Sequence, residues 1–145
     1  MKTLKKMIAI GLAGAMALGI AFTASAEGNA TTEVGTAQAH AMMAQSANTV
    51  AMAHTHLHHV INCLVGPNGQ GYDAKAGTPC KGQGNGAIPD SMGNSALHAN
   101  LQGALADAQA GLRADSLATV HSDAGKAATA LQAGSAPSAS AGKSW

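Results

Sequence analysis

The sequence predicts an all-α protein: a four-helix, up-down-up-down bundle of two helical hairpins, with a long Gly/Pro-rich loop pinned by a disulfide. Three observations carry this reading. Apolar residues recur at helical spacing on both sides of residues 66–93, and that stretch holds eight glycines and three prolines, too many for regular structure. The two flanking regions also resemble each other when shifted by 67 residues, the offset from His54 to His121.

The first 26 residues read as a secretory signal peptide rather than part of the fold. Lys2, Lys5 and Lys6 form a basic n-region, an uncharged apolar run extends from Met7 to Ala21, and Ala24-Ser25-Ala26 supplies a small-residue cleavage site. The apolar run is at the short end for spanning a bilayer. The expected product is a periplasmic or secreted domain beginning near Glu27, with no stable membrane insertion after cleavage. Without those three lysines, five basic residues face seven acids, a net charge of −2, and all seven histidines are retained. That balance removes the electrostatic basis for binding nucleic acid or an anionic membrane.

Residues 27–133 form the expected bundle domain. From Thr31 to Val65 the chain is rich in Ala, Met, Gln and His, has no Pro and no Gly after Gly35, and stops at Gly66-Pro67. The internal similarity lays ANTVAMAH (47–54) over ADSLATVH (114–121), Leu64 over Leu131 and Val34 over Leu101. If this is a true repeat, the first helical stretch breaks near Asn48. Residues 66–93 are read as loop. From 94 to 112, Leu97, Leu101, Leu105, Ala108 and Leu112 share a face. Asp115 or Ser116 then caps a helix carrying Leu117, His121, Ala124, Ala128 and Leu131. The stretch from Gly134 to Trp145 is Gly, Ser, Ala and Pro, the composition of a disordered tail.

A core made of Ala, Leu, Val, Ile and Met buries little area per residue, so extra constraints are expected. Cys63 and Cys80 are the only cysteines. In an exported chain they read as a disulfide; thiolate metal ligation is the competing reading, weakened by the lack of C-x-x-C spacing.

The densest chemical signal is HTHLHH, with His54, His56, His58 and His59 in six residues. Val50, Leu57, Ile61 and Leu64 define the buried stripe of that helix. His54 sits on its edge and His58 one turn further, an i, i+4 pair able to converge on one ion. His56 and His59 are expected to face solvent. His121 occupies on the last helix the position that His54 occupies here, and His40 lies level with His54 across the expected turn. The candidate metal ligands are therefore His54, His58, His121 and His40, whereas His98 is read as a capping or surface residue. Imidazole donors suit copper, nickel or zinc, and copper heads the affinity order. Met42, Met43 and Met52 are read as core filler, with Cu(I) ligation as the alternative.

Opposed His54 and His121 also suit the two axial ligands of a b-type haem, which makes a haem electron carrier the second reading. Covalent c-type haem is excluded by the absence of C-x-x-C-H. A binding or structural module without cofactor is the third. With no G-x-S-x-G, H-E-x-x-H or phosphate-binding Gly loop, and with scattered carboxylates, no catalytic activity is expected.

Exported, alanine-rich helical hairpins with histidines at i, i+4 resemble the small periplasmic His-rich four-helix metal-binding proteins of bacteria. The resemblance covers the helices around His40, His54, His58 and His121. It implies a metal-binding role in which His54 and His58 are ligands.

Overall fold

The computed structural model describes residues 30–135, so the expected signal peptide and residues 136–145 of the expected tail lie outside it. The described residues form five helices and no strand: α1 (Ala30–Gln45), α2 (Val50–Val65), α3 (Ala87–Asp90), α4 (Ser95–Leu112) and α5 (Leu117–Ser135).

Local chemistry sets most of the helix ends. The interruption expected near Asn48 is present: α1 stops at Gln45, and Thr49, in extended conformation, starts α2 by accepting the Met52 N–H on Oγ1 at 3.1 Å. Gly66 ends α2 at φ +67°, a left-handed conformation that glycine adopts without steric cost. Asn94 caps α4 by accepting the Leu97 N–H, and Ser116 caps α5 by accepting the Thr119 N–H, both at 3.1 Å.

α1 packs against α2 and α5, and α4 packs against α5 and α2, the packing of a helix bundle. The large buried side chains are Leu57, Ile61, Leu64, Leu101, Leu131, Val34, Val60 and Val120, and alanines fill the space between them. Small residues let the helices approach closely. A Cβ on Gly111 would lie 2.6 Å from Leu57 Cδ1, so any larger residue there would force the buried Leu57 side chain to shift.

The 67-residue offset holds through the structure. α1 and α4 end at equivalent positions, α2 and α5 begin at equivalent positions, and the capping hydroxyls of Thr49 and Ser116 correspond. Buried Val34, Ala37, Ala41, Leu57 and Leu64 have buried equivalents in Leu101, Ala104, Ala108, Ala124 and Leu131. The clearest sign is reciprocal. His54 donates from Nε2 to the carbonyls of Gly111 (3.1 Å) and Ala114 (3.2 Å), and His121 donates from Nε2 to the carbonyl of Ala47 (2.8 Å). Ala47 corresponds to Ala114 as His54 does to His121, so the histidine of each half satisfies backbone acceptors at the turn of the other.

Three sequence expectations need correction. Residues 66–93 are not loop throughout: Ala87–Asp90 makes one helical turn, closed by the Asp90 N–H on the Gly86 carbonyl. The expected tail begins too early, because Gly134 and Ser135 belong to α5, where Gly134 lies against Leu97 and Leu101 of α4. Met42, Met43 and Met52 are not core filler, with 56%, 47% and 48% of their surfaces exposed.

Cys63 of α2 and Cys80 are joined in a disulfide, with Cα atoms 5.3 Å apart. One position earlier on α2, buried Asn62 donates to the carbonyls of Asp73 and Gly77 (2.7 Å each) and accepts the Asp73 N–H (2.8 Å). Residues 73–80 are thus moored along one edge of α2. No helix among the described residues is long and apolar enough to cross a membrane.

Candidate metal centre

α2 lies between α1 on one side and α4 on the other, so both edges of its buried stripe meet protein. One edge carries His54 and His58; the opposite edge carries His56, Cys63 and His59 and faces α1 and the disulfide loop. His40 of α1 meets this second edge. Its Nδ1 stands 3.2 Å from Nδ1 of His56 and 3.3 Å from Nδ1 of His59. The three residues form the one group of three or more His, Cys, Asp or Glu among the described residues whose ligand atoms all lie within 4.8 Å of one another.

The geometry suits a metal ion. A tetrahedral ion with nitrogen ligands at about 2.0–2.1 Å has ligand-to-ligand edges of about 3.3–3.4 Å, against the 3.2 and 3.3 Å found here. His59 is also oriented as a ligand. Its Nε2–H donates to the Ala76 carbonyl at 2.7 Å, which in the neutral ring leaves a lone pair on Nδ1, the atom 3.3 Å from His40 Nδ1. Burial, followed by the neighbouring His59 and His56, lowers the pKa of His40; burial and His59 lower that of His56. Both rings are therefore held neutral further into acid than a free imidazole, the state in which nitrogen coordinates metal.

The structure does not bring the four expected ligands together. Of them, only His40 belongs to the group. His54 and His121 have their Nε2–H groups engaged by the turn carbonyls described above, and half-buried His58 has Nδ1 3.7 Å from an Asp73 carboxylate oxygen. Bundle symmetry does not make His54 and His121 face one another; it sends each to the opposite turn. His56 and His59, expected to face solvent, are half-buried and supply the other two nitrogens. Their i, i+3 spacing carried the signal, but a partner on α1 had to be known to use it. His98 does cap: Nδ1 lies 3.2 Å from the Ile88 carbonyl at the end of α3.

The equivalent seam in the other half holds different chemistry. At the 67-residue offset, His40, His56 and His59 become Asp107, Asp123 and Lys126. Lys126 Nζ bonds Asp123 Oδ1 at 2.7 Å, and its pKa is raised by Asp123 first and by Asp107 to a lesser degree. Where this half brings three imidazoles together, the other half pairs an ammonium group with a carboxylate.

The fold and site together define a helical, disulfide-bonded protein with a histidine triad able to hold a metal ion. No family model matches the chain, and no curated protein or solved structure matches it.

Proposed function

We propose that this is an exported, non-enzymatic transition-metal-binding protein, an up-down-up-down bundle that holds one ion of the copper, nickel or zinc class on His40, His56 and His59. The observation that carries this reading is His40 Nδ1 standing at coordination-edge spacing from both His56 Nδ1 and His59 Nδ1, with the ligand atoms of all three within 4.8 Å of one another and His59 held as a lone-pair donor by Ala76. Export is supported by the signal-like first 26 residues and by the disulfide, a bond that persists in oxidising compartments. The reading favours metal over haem because the residues that would have served as axial ligands, His54 and His121, donate instead to backbone carbonyls. The resemblance to periplasmic His-rich bundle proteins agrees in kind, with the ligand set moved to the other edge of α2.

Titration with Co(II), followed by its visible d–d absorption, tests this. The parent chain should bind one equivalent, and His40→Ala, His56→Ala or His59→Ala should each cost about 100-fold in affinity. His54→Ala and His58→Ala should leave affinity nearly unchanged, although His54→Ala should lower stability by about 1 kcal/mol through the lost bonds to Gly111 and Ala114. A His59→Ala chain that still binds like the parent would remove the triad from consideration. Binding should weaken as the pH falls, as protons compete with the ion for the nitrogens, and because burial lowers the pKa values of His40 and His56 the loss should set in at lower pH than for free imidazole.

A further inference from the structure

The seam that holds the triad continues toward solvent, and what lines it there bears on which ion it takes. At about 100° per residue, Met52 falls between His56 and His59 around the axis of α2, one turn nearer the α1–α2 turn. Met43 lies one turn beyond His40 on α1, about 60° around the axis toward solvent. Residues three or four apart on a helix are surface neighbours, which puts positions 43 and 52 beside the triad on α1 and α2. Met43 and Met52 are roughly half exposed.

The other half of the molecule serves as an internal control. At the equivalent positions it carries Ala110 and Thr119, and it caps and packs the same helices with them. The fold therefore has no need of methionine at 43 or 52. Long thioethers stand on the half that has three imidazoles and are absent from the half that has two carboxylates and a lysine.

The donor set of the first seam is also uncharged throughout. The triad contains no carboxylate to offset a dipositive ion, and its outer edge offers sulfur. Thioether and imidazole donors without charge compensation favour a soft, monovalent ion over a hard or divalent one.

Resting on the reading of the triad as a metal centre, we propose that the ion it takes is cuprous copper, with Met43 and Met52 supplying thioether donors at its solvent-facing edge. The test compares the parent chain with Met43→Leu/Met52→Leu, a change that keeps side-chain size and helix propensity and removes only sulfur. Cu(I) affinity is measured anaerobically by competition with bicinchoninate, and Co(II) affinity by visible absorption, on the same proteins. The double variant should lose about tenfold or more in Cu(I) affinity. Its Co(II) affinity should stay unchanged, and the sulfur shell in the copper X-ray absorption of the parent should disappear. Unchanged Cu(I) affinity overturns the proposal, and so does an equal loss for Cu(I) and Co(II), which would mean that the methionines act by packing. Failure of the underlying reading looks different: His59→Ala would then bind Co(II) as the parent does, whatever the methionine variant shows.

Discussion

A chain with Cys63 and Cys80 both replaced by Ser is expected to lose about 3 kcal/mol of stability, the value the chain-entropy model assigns to a loop of about this length. The loss should be large relative to the total, because a 106-residue helical unit with an alanine-rich core has only about 5–15 kcal/mol in hand. The same substitution should reach the candidate metal centre. Residues 73–80 are held to α2 by the disulfide at Cys80 and by the hydrogen bonds of Asn62 to Asp73 and Gly77, and Ala76, beside Gly77, supplies the carbonyl that orients His59. Loosening that segment leaves the His59 ring free to turn, so metal affinity should fall about tenfold, in the range seen when a partner behind a ligand is lost. Urea unfolding of parent and double-serine chains, with and without Co(II), measures both effects. An unchanged urea midpoint would show that Asn62 and the loop backbone hold the segment unaided.

Replacing Glu33 by Gln is expected to stabilise the protein at alkaline pH and to leave it nearly unchanged in acid. Glu33 lies in the first turn of α1, is almost fully buried, and accepts the Gly86 N–H on Oε1 at 2.8 Å. Its Oε2 makes no hydrogen bond. Burial, together with the negative charge of Asp90, outweighs the Gly86 bond and pushes its pKa from 4.5 up to about 7. In the unfolded chain the carboxyl titrates at its ordinary value. Between these two values the folded state binds more protons than the unfolded one, so stability falls as pH rises through this window, and the cost is complete above about pH 7. Two and a half units at about 1.4 kcal/mol each put that cost at about 3 kcal/mol. Gln keeps the acceptor for Gly86 and cannot ionise, so the variant should gain on the order of this amount at pH 8 and little at pH 4. His40 and His56 act in the opposite direction. Their pKa values are lowered on folding, so the unfolded chain takes up protons first as pH drops below about 6.5, and stability declines again in acid. Subtracting the parent urea midpoint from that of Glu33→Gln at each pH isolates the carboxyl. A difference that does not change between pH 4 and pH 8 would show that Glu33 is ionised and satisfied in the fold.

The sequence by itself determined the features that depend on local chemistry or on chain length. Hydroxyl and amide caps mark the starts of α2, α4 and α5, and Gly66 marks the end of α2, because those signals act within a few residues of the backbone they satisfy. The helical class, the Cys63–Cys80 pair and the 67-residue correspondence were legible for the same kind of reason. Tertiary structure alone decided which histidines meet. Leu57, Ile61 and Leu64 show where the centre of the α2 stripe lies but not which neighbour covers each edge. α1, whose buried face is mostly alanine, with Val34 its one larger apolar side chain, presents no bulky stripe from which its position could be read. Placing α1 against the His56–His59 edge and the α4–α5 turn against the His54 edge made the first pair donors to a candidate metal and the second residue a partner of backbone carbonyls. An imidazole has no preference between those roles until packing sets which nitrogen faces a lone pair and which faces a carbonyl oxygen.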